Sequence, residues 1–296
     1  MLLPGVMVQI FATPGSGNGR ALALARRLQV ALEARGWRTR LDAIADLRRL
    51  ARWRRPRGAR ISHLVCVGGD GTMSAAARVA IRHQIPFVPV PSGFGNLFAR
   101  AFGHRGQVEA VVELLDHGEI IRADAATANG EIFLCHSSYG MLADIQAAVE
   151  AVGAQPRSRL RRLLAYVWTA RRFLVEPPRG AIRVEVDGRI VSRQAALVTV
   201  ANVEAYGGFL SLTPAASPTD GLLDIFVLPR TTRLALWGRL LRRLLRLPTA
   251  AADALLVRGR RISVVKGPVK DEIEVLPRAL RLLVAAPAPS PPSRAA

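Results

Sequence analysis

The chain has 296 residues, half of them hydrophobic, and its 42 Lys and Arg outweigh 22 Asp and Glu to leave a formal net charge of +20. The hydrophobic share excludes a disordered chain, the length allows two cores, and a total of two cysteines excludes a disulfide-built fold. A positive excess of this size calls for an anionic partner, whether nucleotide, bilayer or nucleic acid.

Met1 to Phe11 is apolar without a preceding basic stretch and reads as a first strand over Val6 to Phe11, not as a signal peptide. The turn Thr13-Pro14-Gly15-Ser16-Gly17-Asn18-Gly19 opens a helix predicted from Arg20 to Arg35. A strand near Trp37 to Leu41, a helix from Ala43 to Trp53 and a strand from Ile61 to Val67 come next. Gly68-Gly69-Asp70-Gly71-Thr72 then leads into an Ala-rich helix over Ser74 to Arg82. The strand Phe87 to Val90 ends in Pro91-Ser92-Gly93-Phe94-Gly95-Asn96, followed by helices around Leu97 to Phe102 and Val108 to Asp116. Regular βα alternation predicts a parallel sheet with helices on both faces.

Each glycine-rich turn, taken singly, is also what a plain tight βα connection would use. Three of them at the carboxyl ends of predicted strands converge, by right-handed crossovers, on the sheet edge where open α/β folds bind ligands. Glycines let the backbone turn sharply and present amides to an anion, and Asp70 leaves one carboxylate facing that space. The pattern is neither a Walker A loop nor a GxGxxG fingerprint.

Beyond Arg122 the sequence changes to short alternating segments, Ile132 to Ser137, Ala181 to Val186, Gln194 to Asn202, Leu222 to Leu228 and Arg261 to Val265, which predict an antiparallel sheet or sandwich. Asp187-Gly188 marks a hairpin. Thr231 to Leu247 keeps a helical period, with Arg239, Arg242, Arg243 and Arg246 opposite Leu234, Trp237, Leu240, Leu241, Leu244 and Leu245. It fits a helix with a solvated Arg face and equally one that meets anionic lipid headgroups, as do the clusters Arg157 to Arg162 and Arg171-Arg172. No zinc-finger spacing, RNP motif or helix-turn-helix supports nucleic acid. No run is long and uncharged enough for a transmembrane helix. The Pro-rich tail from Ala285 is expected to be unstructured. The five histidines show no metal-ligand spacing.

The order Pro-x-Ser-Gly, Gly-Gly-Asp-Gly-Thr and Pro-x-Gly-x-Gly-Asn resembles the diacylglycerol kinase catalytic-domain family, in its bacterial branch of diacylglycerol- and sphingosine-kinase-like lipid kinases. Ala123-Asp124, Tyr206-Gly207-Gly208, Leu212-Thr213-Pro214 and Asp220-Gly221-Leu222-Leu223-Asp224 extend the resemblance from Val6 to about Val284. It implies an α/β fold in two domains: a nucleotide-binding domain with a parallel sheet over 1–122, rejoined by a strand near 278–284, and a β-rich, sandwich-like lipid-binding domain over 123–277. The active site would lie in the cleft between them, with 285–296 as tail.

Function follows from the same resemblance. ATP would donate its γ-phosphoryl group to a lipid hydroxyl, of diacylglycerol or long-chain-base type, with Mg²⁺, in a cytoplasmic enzyme that visits anionic membrane surfaces and binds no nucleic acid; a homodimer is left open. The cradle would comprise Ser16, Gly17, Arg20, Gly68, Gly69, Asp70, Gly71, Thr72, Gly93, Gly95 and Asn96, with Asp70 holding the nucleotide's Mg²⁺ through water. Asp220 and the backbone of Leu222 match a structural Mg²⁺ site of the family. Asp124 matches a carboxylate near the cleft and also fits a turn-capping Asp.

The chain also departs from the pattern. Thr13 stands where the family has Asn, Phe94 where it has Thr and Leu97 where it has Asp. The family's Asp-Gly-Glu, source of the general base, is not present: between Val265 and Ile273 stands only the shortened segment Lys266-Gly267-Pro268-Val269-Lys270-Asp271-Glu272, without the motif's glycine, leaving Asp271 as the nearest candidate, with Glu272 or another carboxylate as substitute. The alternatives are accordingly a non-catalytic lipid- or nucleotide-binding relative and, more remotely, a soluble-acceptor kinase like NAD kinase.

Overall fold

The computed structural model describes residues 6–17, 19–93, 95–140, 181–207, 210–229 and 254–286, with positions 143, 238 and 241. The chain divides into one unit of Met1–Ala123 with Ala279–Ala296 and a second of Asp124–Arg278. The Arg-rich segment predicted over 231–247, the clusters at 157–162 and 171–172, and Phe94 lie outside the described residues, apart from positions 238 and 241.

In the first unit the elements run β1 (Val6–Ala12), α1 (Arg20–Ala34), β2 (Thr39–Ala43), α2 (Arg48–Ala51), β3 (Arg60–Gly68), α3 (Asp70–His83), β4 (Phe87–Pro91), α4 (Leu97–Ala101) and α5 (Val108–His117). β5 (Glu119–Ala128) leaves the unit and β15 (Val269–Val284) returns to it. The sheet is parallel in the order β15-β4-β3-β1-β2, with Leu282 beside Phe87 and Cys66 beside both Phe11 and Pro89. Strand alternation sends Val8, Ile10 and Ala12 to one face, where they pack with Ala21, Ala25, Leu28 and Leu32 of α1 and with Val111, Val112 and Leu115 of α5. Those helical positions recur every three or four residues, the spacing that puts apolar groups on one stripe. Phe11, from the opposite face, meets the edge of Trp53 at 5.6 Å.

Some boundaries differ from the sequence expectation for local reasons. The helix expected from Ala43 shrinks to α2 because β2 continues to Ala43 beside Ala12, and Asp46 Oδ1 accepts the Arg48 N–H at 2.9 Å to start the turn. The strand expected from Trp37 starts at Thr39, since Trp37 N–H is still held by Leu32 O, with Gly36 at φ 84° closing α1. α3 starts four residues earlier than expected, at Asp70, with Gly69 extended as its cap.

The second unit contains β6 (Glu131–Phe133), β7 (His136–Gly140), β8 (Ile182–Val186), β9 (Arg189–Ala201), β10 (Tyr206–Gly207), β11 (Leu210–Ser211), β12 (Leu223–Pro229), β13 (Leu255–Gly259) and β14 (Arg261–Lys266), with the first part of β15. The main ladder is antiparallel, β13-β12-β9-β8-β14-β15, and β7 also pairs with β9. Ile182, Val184, Val198, Val200, Ile225, Val227, Ile262 and Val264 form its core. Asp187 and Gly188, at φ 49° and 81°, make the expected hairpin, and Asn129-Gly130 makes a second one at φ 50° and 81°. The single strand expected over Ile132 to Ser137 is broken between β6 and β7, where Cys135 O takes the Asn202 and Val203 N–H groups. Both cysteines are buried free thiols. Among the described residues no helix is long and apolar enough to cross a membrane.

Burial lowers His104 to about 4, and burial with the Arg281 charge lowers His63 to about 4. The unfolded chain, titrating near the ordinary imidazole value, therefore binds protons that the folded chain refuses, so stability is full above about pH 6.5 and is lost as pH falls toward about 4. Urea unfolding at about pH 7 and about pH 5 is expected to differ by roughly 2 kcal/mol per histidine, and His104→Gln should remove one share. A stability that stays flat over this window would contradict neutral burial.

Candidate functional site

Three turns of the first unit meet at the carboxyl edge of its sheet. Thr13 Oγ1 lies 3.0 Å from Thr72 Oγ1, Ser16 Oγ lies 3.4 Å from Ser92 Oγ, and Ser92 N–H donates to Gly68 O at 3.0 Å. Glycine is required at these crossings. A Cβ on Gly17, which sits at φ 61°, would lie 2.1 Å from Ser92 O, and one on Gly93 would lie 3.0 Å from Gly69 Cα. Around Gly15 and Gly71, by contrast, a Cβ would meet nothing within 4 Å, so the convergence leaves open space beside the first two turns.

Two helices begin at this edge. α1 starts behind Gly19 and α3 behind Gly69, so the positive ends of two dipoles fall beside adjacent strands β1 and β3, although the first α1 amides are engaged by their own turn, Arg20 N–H with Gly17 O at 3.3 Å and Ala21 N–H with Ser16 O at 3.4 Å. Asp70 is half-buried in the first turn of α3, and a Cβ on Gly95 would come within 2.8 Å of its Oδ2, so the carboxylate reaches toward the third turn. Buried Thr72 packs under Gly68. Asn96, at φ 48°, accepts the Gly93 N–H at 3.2 Å and donates to Gly93 O at 2.5 Å, which makes it the clamp of its own turn. Arg20 is exposed and folds its Nε back onto Gly17 O at 3.1 Å.

The remaining candidates belong to the second unit. Asp124 has no exposed surface; its Oδ2 accepts the Gly221 N–H and its Oδ1 the Arg278 N–H, each at 2.7 Å. Asp220 Oδ1 accepts the Leu222 N–H at 3.0 Å, and Oδ2 is in contact with Arg258 Nη2. Arg258 Nε also lies 3.5 Å from Asp224 Oδ2. Burial pushes the Asp224 carboxyl above the ordinary range, with Arg258 opposing and the Asp220 charge adding to the rise. Among the described residues no group of three His, Cys, Asp or Glu side chains is gathered so as to hold a metal ion.

Asp271 and Glu272 sit on β15, inside a hairpin that Lys266 and Val269 close around Gly267-Pro268. Asn129 docks on them: its Nδ2 donates to Asp271 Oδ1 at 2.6 Å, its Oδ1 accepts the Glu272 N–H at 2.9 Å, and its own N–H donates to Glu272 O at 2.9 Å. Burial, followed by hydrogen bonding and charge from Asp271, pushes the Tyr139 phenol up to about 12, partly offset by Ser137. Glu272 Oε1 pairs with Lys270 Nζ at 2.5 Å. Sequence reasoning named Thr13 and Ser92 without giving their hydroxyls a partner, and it missed Asn129, Tyr139 and Arg258; the Asn129-Gly130 pair, a turn signal between polar-apolar alternations, was the one local sign of these three.

Comparison with known proteins bears on the same stretches. The diacylglycerol kinase catalytic domain model matches residues 7–128, and the YegS C-terminal NAD kinase beta sandwich-like domain model matches residues 139–284. Residues 7–128 thus carry the catalytic domain of the diacylglycerol kinase family. An uncharacterized protein of Synechocystis sp. is 28% identical over 174 residues, 58% of this chain and 39% of that one. A diacylglycerol kinase of Bacillus subtilis strain 168 is 25% identical over 173 residues, 56% of this chain and 55% of that one. The chain thus spans about half the length of the curated relatives it matches. A crystal structure of a diacylglycerol kinase from Bacillus anthracis strain Sterne shares the fold, with a TM-score of 0.69 at 19% identity over 95% of this chain and 97% of that one. The family is one of lipid kinases, and its two-part architecture is the α/β unit and β-rich unit described above.

Proposed function

We propose that this protein is an ATP-dependent lipid kinase, acting on a lipid hydroxyl of the diacylglycerol or long-chain-base type. The observation that carries the reading is the meeting of the three glycine turns with the starts of α1 and α3, where two helix dipole ends and the open space beside Gly15 and Gly71 suit a polyphosphate. Ser16, Gly17, Gly68, Gly69, Gly71, Thr72, Gly93 and Gly95 would line it, with Arg20 free to swing onto phosphate. Mg²⁺, when bound, would offset phosphate charge, and Asp70 is the hard oxygen ligand in reach of the cradle. The lipid hydroxyl oxygen would bond to the γ-phosphorus as the bond to the β-phosphate oxygen breaks, ADP leaving and the hydroxyl proton passing to a carboxylate, with Asp271 or Glu272 as nominees. The enzyme would meet its substrate as a peripheral visitor to an anionic surface, a role that its net charge of +20 suits.

A second reading, a relative that binds nucleotide or lipid without transfer, is favoured by Asp271. Its Oδ1 is engaged by Asn129, and the two-residue turn at Gly267-Pro268 holds it in a strand where a mobile loop would serve better. Mass spectrometry of a lipid extract incubated with Mg-ATP separates the readings, and an NAD arm covers a soluble acceptor. Phosphorylated lipid supports the first; nucleotide binding with no product in any arm would leave the second.

A further inference from the structure

We infer that Arg258 takes the place of a structural divalent cation at the turn Asp220-Gly221-Leu222-Leu223-Asp224, so that the second unit keeps this turn without Mg²⁺. The resemblance puts a metal here, and the residues do not fit one. Asp220 gives one oxygen to the Leu222 N–H and the other to the Arg258 guanidinium. Asp124, which also bonds to this turn, gives both oxygens to backbone N–H groups, those of Gly221 and Arg278. A cation would have to displace a charged fork that already spans two carboxylates, because Arg258 also reaches Asp224 Oδ2. A planar guanidinium with several donors is suited to bridging carboxylates in this way.

The placement is built into the sheet. Asp224 on β12 and Arg258 on β13 are directly opposed in the antiparallel register, flanked by the pairs Leu223–Gly259 and Ile225–Val257. Opposed residues hold their Cβ atoms roughly 5 Å apart on one face, so the arginine is delivered to the turn by strand pairing. Asp224 is nearly buried, with 8% of its side chain exposed, and a carboxylate so placed is costly unless a cation accompanies it. Arg258 supplies that cation covalently. The inference holds whether or not the chain transfers phosphate, and it confines any Mg²⁺ requirement to the nucleotide.

The test is thermal unfolding of the full chain, without nucleotide and in an Asp70→Asn background that removes cation binding at the glycine turns, in EDTA and in millimolar Mg²⁺. The parent is expected to melt at the same temperature in both to within about 1 °C, and titration with Mg²⁺ alone to give no binding heat. Arg258→Gln should lower the melting temperature in EDTA by roughly 3–6 °C, a pair with one half-exposed member being worth less than a fully buried one. Arg258→Lys, which keeps the charge, should lose less. A parent whose melting temperature rises by several degrees with Mg²⁺ overturns the inference even if Arg258→Gln fails to fold, and so does an Arg258→Gln variant as stable as the parent.

Discussion

Asp70→Asn is expected to reduce phosphotransfer about 10³-fold, or roughly 4 kcal/mol of transition-state stabilisation, while leaving the fold intact. The expectation rests on the proposed kinase reading. Asp70 sits in the first turn of α3, half-buried, and reaches toward Gly95, so a side chain of the same size keeps the packing of the second and third turns. What asparagine loses is the negative oxygen that a hard cation prefers and with it the charge balance of a bound triphosphate. Melting temperature and nucleotide affinity in the absence of Mg²⁺ should change little, whereas the Mg²⁺ dependence of turnover should weaken. A variant that turns over at the parental rate would remove Asp70 from the chemistry, and the metal would have to be sought elsewhere.

Asp124→Ala is expected to cost about 3–5 kcal/mol of stability, a fall in melting temperature on the order of 10 °C. With no surface exposed, Asp124 is the partner of the backbone N–H groups of Gly221 and Arg278, both in left-handed backbone at φ 74° and 55°. Arginine holds such a conformation only where the surroundings fix it, at a cost on the order of 1 kcal/mol. Alanine would leave two amides without partners in a dry site and release the constraint on Arg278. Asp124→Asn, which keeps one accepting oxygen, should lose about half as much. If Asp124 were a cation ligand, EDTA would reproduce part of the damage in the parent; the geometry predicts that it does not.

The site of the first unit was legible from sequence because its information is local. Gly17, Gly68, Gly69 and Gly93 lie in the turns that end apolar strands, and right-handed connections then leave little freedom in where the turns go. Thr13 looked like the loss of a family asparagine; its hydroxyl instead reaches Thr72, a partner 59 residues away that only the parallel pairing of β1 and β3 reveals. The second unit was less legible. Lys266 to Glu272 read as a shortened loop, whereas Gly267-Pro268 is the whole of the turn and the residues after it are strand, a distinction set by the pairing of β14 with β15. Arg258 and Asp224 are likewise neighbours only through register, and no spacing along the chain announces them. Asp124 was read both as a cleft carboxylate and as a cap; the bonds to Gly221 and Arg278 depend on a return of the chain more than 90 residues later.

The late return of β15 to the first unit bears on how the polypeptide acquires its shape as it is made. Leu282 is the residue that pairs with Phe87 of β4, and the whole second unit is synthesised between them. Until that final segment leaves the ribosome, β4 presents an unpaired edge, an invitation to pair with a neighbouring nascent chain. Closure joins residues nearly 200 positions apart, a separation that slows folding. The N-terminal half therefore cannot finish first, and the interval before it finishes is when chaperones would matter most.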